Sequence, residues 1–231
     1  MCGIAGIMYK GSAQTFDTGE ALIRMLDGCQ HRGPDSTGFA LYEEAQPGKL
    51  KLRFFLGDAA DSRGGVEAIR QRLSELGATI TDESEIGDNY RVTVEYAHDV
   101  QRLAYEMERA AKVISIGTSL EIVKDVGTAH DVDDRYDVHS YRGTHGLGHV
   151  RLATESDVKP EAAHPFWATG FADVAIVHNG QITNYWKMRR RLEQRDFLFT
   201  TDNDSELIAV YLADKLAQGI ALNDALKTSI D

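Results

Sequence analysis

The stretch MCGIAGI (residues 1–7) begins the chain and sets a cysteine directly behind the initiator methionine. Once Met1 is removed, Cys2 carries both a thiol and a free α-amine. Their ordinary pKa values, about 8.5 and about 7.7–8.0, are close enough for proton exchange near neutral pH. The amine can then act as the base for the thiol nucleophile. Many proteins begin Met-Cys by chance, so this stretch decides the fold only together with segments further along the chain.

The composition limits the class of protein. The chain has 231 residues, 42% hydrophobic and 26% charged, which suits one large domain or one domain with a substantial insertion. A formal net charge of −11 argues against a nucleic-acid partner, because phosphate binding needs a basic surface. No apolar run is long enough for a membrane helix, and the start lacks the features of a secretory signal. With only Cys2 and Cys29, there is no disulfide framework, and a cytoplasmic location is expected.

Two outer regions of the chain share a pattern of short strands and amphipathic helices. The first region predicts a strand over residues 4–9 and another over residues 39–42, joined through the turn HRGPDSTG (31–38). Between them a helix is predicted, with an apolar face of Leu22, Met25, Leu26 and Cys29. The second region predicts a buried strand at 174–177, a helix over 183–194, and a helix that starts near Asn203 with Glu206 in a capping box.

Residues 49–142 have a different character and predict an inserted domain. Leu50, Leu52 and Phe54 alternate with charged residues, as in a half-buried strand, and residues 90–96 alternate in the same way. Helical spacing recurs at 66–76 and 100–107. The predicted order is β-α-β-β-α-β, the split βαβ arrangement of ferredoxin-like folds. The alternative is a long irregular excursion. Since the block contains no catalytic constellation, a docking or positioning role is expected.

Five segments, read in order, carry a resemblance that none of them carries alone. They are MCGIAGI (1–7), HRGPDSTG (31–38), GHVRLAT (148–154), HNGQITN (178–184) and TDNDSE (201–206). Together they resemble the class II glutamine amidotransferases, which are N-terminal-nucleophile hydrolases. The resemblance covers roughly residues 2–42 and 143–218. It implies an α+β fold, a four-layer α-β-β-α sandwich, formed by residues 2–48 and 143–231 and interrupted by the ferredoxin-like insertion.

The resemblance also implies roles for the residues that cleavage of glutamine requires. Cys2 would attack the carboxamide, and the resulting oxyanion needs preorganised N–H donors, here the Asn179 side chain and the Gly180 backbone. Arg151 would bind the substrate carboxylate, which a guanidinium suits bidentately, and Asp204 the substrate ammonium. Each has a plainer alternative: a hairpin turn for Asn-Gly, a surface ion pair for Arg151, and a charge at a helix start for Asp204.

Two further positions follow from the resemblance. Thr154 matches a substrate-contact position, although a threonine in a strand is common. Arg32 is expected near the nucleophile, where it would organise the site, with packing within its loop as the alternative. The sequence departs from many relatives at Glu155-Ser156, where they have His-Gly or a similar pair. Closure over the substrate at this loop is therefore expected to differ.

No metal or cofactor is expected in this chain. His145 and His149 are spaced i, i+4, but the glycines between them disfavour the helix that would bring them to one side. No cysteine pair lies nearby for zinc, and no phosphate loop or dinucleotide fingerprint occurs.

The expected partners are glutamine and a synthase that accepts the ammonia. The chain contains no acceptor domain and ends without a closing strand, which predicts either a separate synthase subunit or a C-terminally shortened domain. The stand-alone arrangement resembles amidotransferase subunits of glutamate-synthase-type or N-methylglutamate-synthase-type complexes. Two alternatives stay open: a non-catalytic glutamine-binding or regulatory subunit, and an N-terminal-cysteine hydrolase acting on another amide.

Overall fold

The computed structural model describes residues 2–10, 16–57, 62–153 and 158–229. Its strands are β1 (Gly3–Met8), β2 (Ser36–Tyr42), β3 (Lys49–Phe55), β4 (Thr79–Ile86), β5 (Asn89–Glu95), β6 (Lys112–Gly117), β7 (Leu120–Val126), β8 (His145–Arg151), β9 (Phe166–Trp167) and β10 (Ala175–Ile176). Its α-helices are α1 (Thr18–Asp27), α2 (Ser62–Glu75), α3 (Val100–Glu108), α4 (Ala129–Tyr136), α5 (Tyr185–Glu193), α6 (Glu206–Ala217) and α7 (Leu222–Lys227). The protein is thus an α+β fold with several antiparallel sheets.

The first sheet brings the N-terminal strand beside a strand from the second half of the chain. Its order is β1-β8-β2-β7, and every neighbouring pair is antiparallel. One face packs on α1, where Leu22 and Leu26 are fully buried. The helix lies so close that a Cβ on Gly148 would meet the Leu26 side chain at 2.8 Å. Glycine in β8 therefore allows the helix to approach the sheet. Met25, which was predicted on the apolar face of α1, lies on the other side of the helix and is 43% exposed.

The second sheet is built from β3 to β6 and contains the predicted element order β-α-β-β-α-β. Its strand order is β4-β5-β3-β6, again antiparallel throughout. The apolar side chains of β3 form one cluster with residues of α2 and α3. The alternating Lys51 and Arg53 point to the opposite side and are buried as well.

The last part of residues 49–142, the predicted insertion, associates with the first sheet. Strand β7 pairs with β2 in the first sheet, and α4 joins α1 in the apolar cluster on that sheet. The sequence did not predict β7 because Glu121, Lys124 and Asp125 interrupt its apolar pattern. All three are buried, so both faces of this strand are covered, and alternation is lost. The strand pairing favours an end of the insertion near Gly117; the division into domains remains a prediction.

The C-terminal region contains shorter elements than the sequence predicts. Of the strand expected at 174–177, only Ala175–Ile176 pairs, with β9. The helix expected at 183–194 is α5, residues Tyr185–Glu193. The predicted capping box at Asn203 is wrong: α6 begins at Glu206, whose carboxylate instead accepts hydrogen bonds from the backbone and hydroxyl groups of Thr200 and Thr201.

A buried ionic network joins the two sheets. The guanidinium of Arg53, in β3, donates to Glu121, in β7, at 2.9 Å, and to the Tyr141 hydroxyl at 2.7 Å. Arg91 also donates to Glu121, at 2.8 Å. Burial raises the pKa of Glu121, but the charges and hydrogen bonds of both arginines outweigh it and lower this pKa to about 2.

We expect Glu121→Gln to destabilise the fold by about 3–5 kcal/mol, because it leaves buried guanidinium groups without their counter-charge. The Glu121 carboxylate takes up its proton near pH 4.5 in the unfolded chain and near pH 2 in the folded protein. The free energy that this charge contributes to folding is therefore complete above pH 4.5 and is lost as the pH falls towards 2. Urea unfolding at pH 7 and pH 3 measures both effects. Glu75→Gln, at an exposed ion pair, is the control and should cost less than about 1 kcal/mol. Equal losses for the two variants would contradict the expectation.

Within the described ranges, the structure contains no helix long and apolar enough to cross a lipid bilayer.

Candidate active site

The thiol of Cys2 lies against the backbone that follows β8. Gly3 pairs with Val150, so the residue before β1 meets the end of β8. The Leu152 N–H donates to Cys2 Sγ at 3.4 Å, and the thiol faces the Leu152 carbonyl oxygen at 3.8 Å. The Leu152 backbone therefore fixes the position of the Cys2 side chain at the end of β8. The sequence did not indicate this role of Leu152, because its backbone provides the contact.

Arg151 is the last residue of β8 and is only 4% exposed. Its burial lowers the pKa of the guanidinium, and the charges of Cys2 and Asp35 oppose this shift. An arginine stays protonated under these conditions, so Arg151 contributes a buried positive charge that interacts with Cys2. Such a charge suits a carboxylate ligand.

Asp35 is a site residue that the sequence reasoning missed. Its carboxylate accepts a hydrogen bond from the Ala153 N–H at 2.7 Å, and its own N–H donates to the Arg151 carbonyl at 3.1 Å. It therefore holds both sides of Leu152, whose N–H reaches the thiol. The signal was present in the turn HRGPDSTG, in which the sequence analysis singled out Arg32 instead. The same turn needs Gly33, since a Cβ there would lie 2.5 Å from the backbone of Val150.

Asn179 reaches Cys2 from a distant segment. Its side-chain Nδ2 donates to the Cys2 carbonyl oxygen at 3.0 Å, across 177 residues of chain. Asn179 and Gly180 are both exposed, so a small molecule can approach them. A Cβ on Gly180 would lie 2.8 Å from Nε2 of His178, which explains why glycine follows asparagine here. The plainer interpretation of Asn-Gly as only a hairpin turn does not account for the contact with Cys2.

Asp204 lies one loop further out. Its Oδ2 accepts a hydrogen bond from the Ile182 N–H at 2.7 Å, and its Oδ1 accepts one from the Ser205 hydroxyl at 3.3 Å. These bonds tie the loop before α6 to the loop that carries Asn179 and Gly180. Asp204 is half-buried. It lies just before α6 and does not cap it, because the helix begins two residues later.

Arg32 lies in the turn between α1 and β2. It is exposed at the end of a 3₁₀ turn, residues Gln30–Arg32, and its N–H donates to the Cys29 carbonyl at 2.9 Å. Burial raises the pKa of Cys29, and the Arg32 charge opposes that shift. In the described part of the chain no hydrogen bond or ion pair joins Arg32 to Cys2, and its site role stays a prediction. Thr154 falls outside the described residues. No group of three or more His, Cys, Asp or Glu side chains among those residues is arranged to hold a metal ion.

Comparison with known proteins identifies the class to which this fold and site belong. Residues 123–221 match the family model described as "Glutamine amidotransferase domain". The chain belongs to the glutamine amidotransferase family, as the five segments predicted.

Within this class, the similarity to two relatives extends over the whole chain. A protein of Methanothermobacter thermautotrophicus assigned as a glutamine amidotransferase is 39% identical over 242 residues, which covers 100% of this chain and 77% of that protein. The glutamine amidotransferase-like protein GlxB of Rhizobium meliloti is 35% identical, with coverage of 100% and 75%. A glutamine–fructose-6-phosphate aminotransferase of the same Methanothermobacter is 31% identical over 131 residues, 57% of this chain and 22% of that protein.

Proposed function

We propose that this protein hydrolyses the side-chain amide of glutamine through a thioester on Cys2. One observation supports the proposal: in a member of this family, two distant segments contact Cys2. The Leu152 N–H donates to its Sγ at 3.4 Å, and the Asn179 Nδ2 donates to its carbonyl oxygen at 3.0 Å. The proposal requires the removal of Met1, because only then is the Cys2 amine free to act as the base.

The chemistry proceeds in two balanced steps. The Cys2 thiolate attacks the carboxamide carbon, and Asn179 Nδ2 and the Gly180 N–H stabilise the oxyanion that forms. The C–N bond then breaks, and the nitrogen takes a proton from the Cys2 ammonium and leaves as ammonia. Water attacks the remaining γ-glutamyl thioester, which releases glutamate and restores the thiol. No oxidant, reductant or cofactor is required.

The specificity for an amino-acid amide would come from charges on both sides of the thiol. The buried guanidinium of Arg151 suits the α-carboxylate of glutamine, and the carboxylate of Asp204 suits its α-ammonium. Asp204 is half-buried and already holds the loop of Gly180 through Ile182, so it would link substrate binding to that loop. Thr154 would add a substrate contact, and Arg32 would organise the turn beside β8.

Ammonia released to solvent would be lost, so we propose that a synthase receives it. The aminotransferase relative is matched over only 22% of its length, so the corresponding region there is part of a longer protein. Here a separate subunit would play that part, as in glutamate-synthase-type or N-methylglutamate-synthase-type complexes.

The proposed architecture is a four-layer α-β-β-α N-terminal-nucleophile sandwich with a ferredoxin-like insertion. The ferredoxin-like insertion is supported by the antiparallel pairing and the strand order β4-β5-β3-β6, since α2 and α3 each connect two strands of that sheet. The α-β-β-α sandwich is supported by the layer of α1 and α4 that packs on the first sheet.

The function is tested with the purified protein and an electrophilic glutamine analogue. We expect release of glutamate and ammonia from glutamine, and one stoichiometric adduct on Cys2 with Met1 absent, read by intact mass and peptide mapping. Asparagine, one methylene shorter, is the matched substrate control and should react far more slowly. Glutamine binding without turnover or adduct would favour the non-catalytic subunit, and turnover of another amide instead of glutamine would favour the N-terminal-cysteine hydrolase of a different amide.

A further inference from the structure

A buried histidine lies directly beneath the loop of Asn179 and Gly180. His149 is fully buried in β8, two residues before Arg151, so both side chains point to the same face of the sheet. Its Nε2 lies 3.2 Å from the backbone carbonyl oxygen of His178. A carbonyl only accepts hydrogen bonds, so Nε2 must carry the hydrogen, which assigns the tautomer of His149.

The surroundings keep this imidazole neutral. Burial lowers the pKa of His149 to about 4; the His178 carbonyl opposes the shift, and the charges of Arg151 and His178 add to it. His164 stacks on the ring at a centroid distance of 4.1 Å, and burial holds its pKa well below the ordinary value as well. The second ring nitrogen of His149, Nδ1, makes no hydrogen bond within the described part of the chain. The ring is therefore a neutral donor with one hydrogen bond.

The position of His164 shows that the stack is built into the fold. Its carbonyl oxygen lies 2.0 Å from where a Cβ on Gly38 would be. Gly38 is also the β2 residue that pairs with His149. Glycine at this position therefore lets the segment of His164 lie on the sheet, where its ring covers His149.

The acceptor of this bond controls the oxyanion donors. The His178 carbonyl and the Asn179 N–H belong to the same planar peptide unit. A hydrogen bond to the carbonyl oxygen therefore fixes the orientation of this unit, and with it the direction in which the Asn179 side chain and the Gly180 N–H lie. The His178 ring is held separately, by Nδ1 to the Ser205 hydroxyl at 2.9 Å. Backbone and side chain of His178 are thus fixed from two directions.

We propose that His149 is a positioning residue for the oxyanion site: its Nε2–H holds the His178 carbonyl so that the N–H donors of Asn179 and Gly180 stay aimed at the oxygen of the carboxamide that Cys2 attacks. This inference rests on the proposed glutamine hydrolysis. It differs from packing alone, because packing needs only the volume of the ring, whereas positioning needs the N–H.

Two substitutions separate the N–H from the volume. His149→Met fills the space without a donor, and His149→Gln places an amide N–H near the former Nε2. We expect His149→Met to lower kcat for glutamine about 10- to 100-fold with KM within about twofold, because misplaced donors weaken only the transition state. We expect His149→Gln to recover most of this loss. The matched control is His145→Gln, on the same strand, whose ring stacks on Tyr42 and bonds Thr144, and it should leave kcat unchanged.

Alkylation by iodoacetamide measures the reactivity of the Cys2 thiol alone, because this reaction forms no oxyanion and needs no oxyanion donors. Its rate at Cys2 should be the same in wild type and His149→Met. Equal kcat losses for the Met and Gln variants, a loss confined to KM, or a parallel loss of alkylation would overturn the inference.

A measurement on the wild type covers the case in which the variants do not fold. In long-range ¹H–¹⁵N spectra of labelled protein, His149 should appear as the neutral Nε2–H tautomer at pH 7; an Nδ1–H tautomer would overturn the inference. Wild type without turnover would contradict the proposed function, and the inference with it. Turnover in wild type with unchanged kcat in His149→Met would contradict the inference alone.

Discussion

Replacing Cys2 by alanine is expected to lower glutamine hydrolysis by at least about 10³-fold, because the covalent thioester can no longer form. Glutamine should still bind, since Arg151 and Asp204 are unchanged. The measurement is ammonia release at saturating glutamine, together with glutamine binding by calorimetry. Cys2→Ser is informative as well, because it replaces the sulfur by an oxygen and changes the size of the side chain little. A hydroxyl is far less nucleophilic than a thiolate, so we expect a similar loss of activity.

The chain offers a matched control for this prediction. Cys29 is the other cysteine, and it lies beside Gly3, where a Cβ would meet its Sγ at 2.7 Å. Cys29→Ser should retain activity within about twofold, since the Cys29 side chain packs against α1 and not toward the Leu152 backbone. An active Cys2→Ala protein would show that another group attacks the amide. Loss of activity in Cys29→Ser alone would show that Cys29, and not Cys2, is the nucleophile.

Replacing Asn179 by alanine is expected to lower kcat by about 10²–10³-fold with a small effect on KM, because a preorganised oxyanion donor acts mainly in the transition state. In the structure the same Nδ2 donates to the Cys2 carbonyl, so the variant also removes a hydrogen bond that holds Cys2. Steady-state kinetics of glutamine hydrolysis measures both parameters. The rate of iodoacetamide alkylation at Cys2 distinguishes a lost oxyanion donor from a displaced thiol.

Asn184→Ala is the matched control for Asn179→Ala. Asn184 lies five residues further on, is exposed, and precedes α5 without a side-chain capping bond. The same substitution there should leave kcat and KM unchanged. If Asn179→Ala raised KM and spared kcat, Asn179 would be a ground-state binding group. If alkylation at Cys2 slowed in parallel with kcat, its role would be to hold the nucleophile.

The sequence predicted the family and the element order well, because both depend on local patterns. The five segments pointed to the glutamine amidotransferases, which the comparisons confirm. Alternation in β3 and β5 and helical spacing in α2 and α3 predicted the β-α-β-β-α-β order that the structure contains. In each of these elements one face carries apolar side chains and the other mostly polar ones, so the period is visible in the sequence, even in β3, where both faces are buried.

Prediction failed where buried charged residues interrupt the apolar pattern of an element. Strand β7 was missed because Glu121 and Lys124 are buried in it, the first with Arg53 and Arg91, the second with carbonyl oxygens of residues 161, 163 and 165. Partners from distant segments make such burial possible, and no local pattern announces them. The same applies to the capping box, since Glu206 binds the loop before it instead of the Asn203 backbone.

The sequence by itself determined which side chains can perform the chemistry, because a thiol, a guanidinium and an amide are properties of residue types. Only the tertiary structure decided how they meet. The antiparallel pairing of β1 with β8 brings Cys2 to the Leu152 backbone, Asp35 holds that backbone from both sides, and the neutral ring of His149 supports the loop of Asn179. These contacts use main-chain atoms of residues that lie 29 to 150 positions apart in the chain, and main-chain atoms are the same at nearly every position of a sequence.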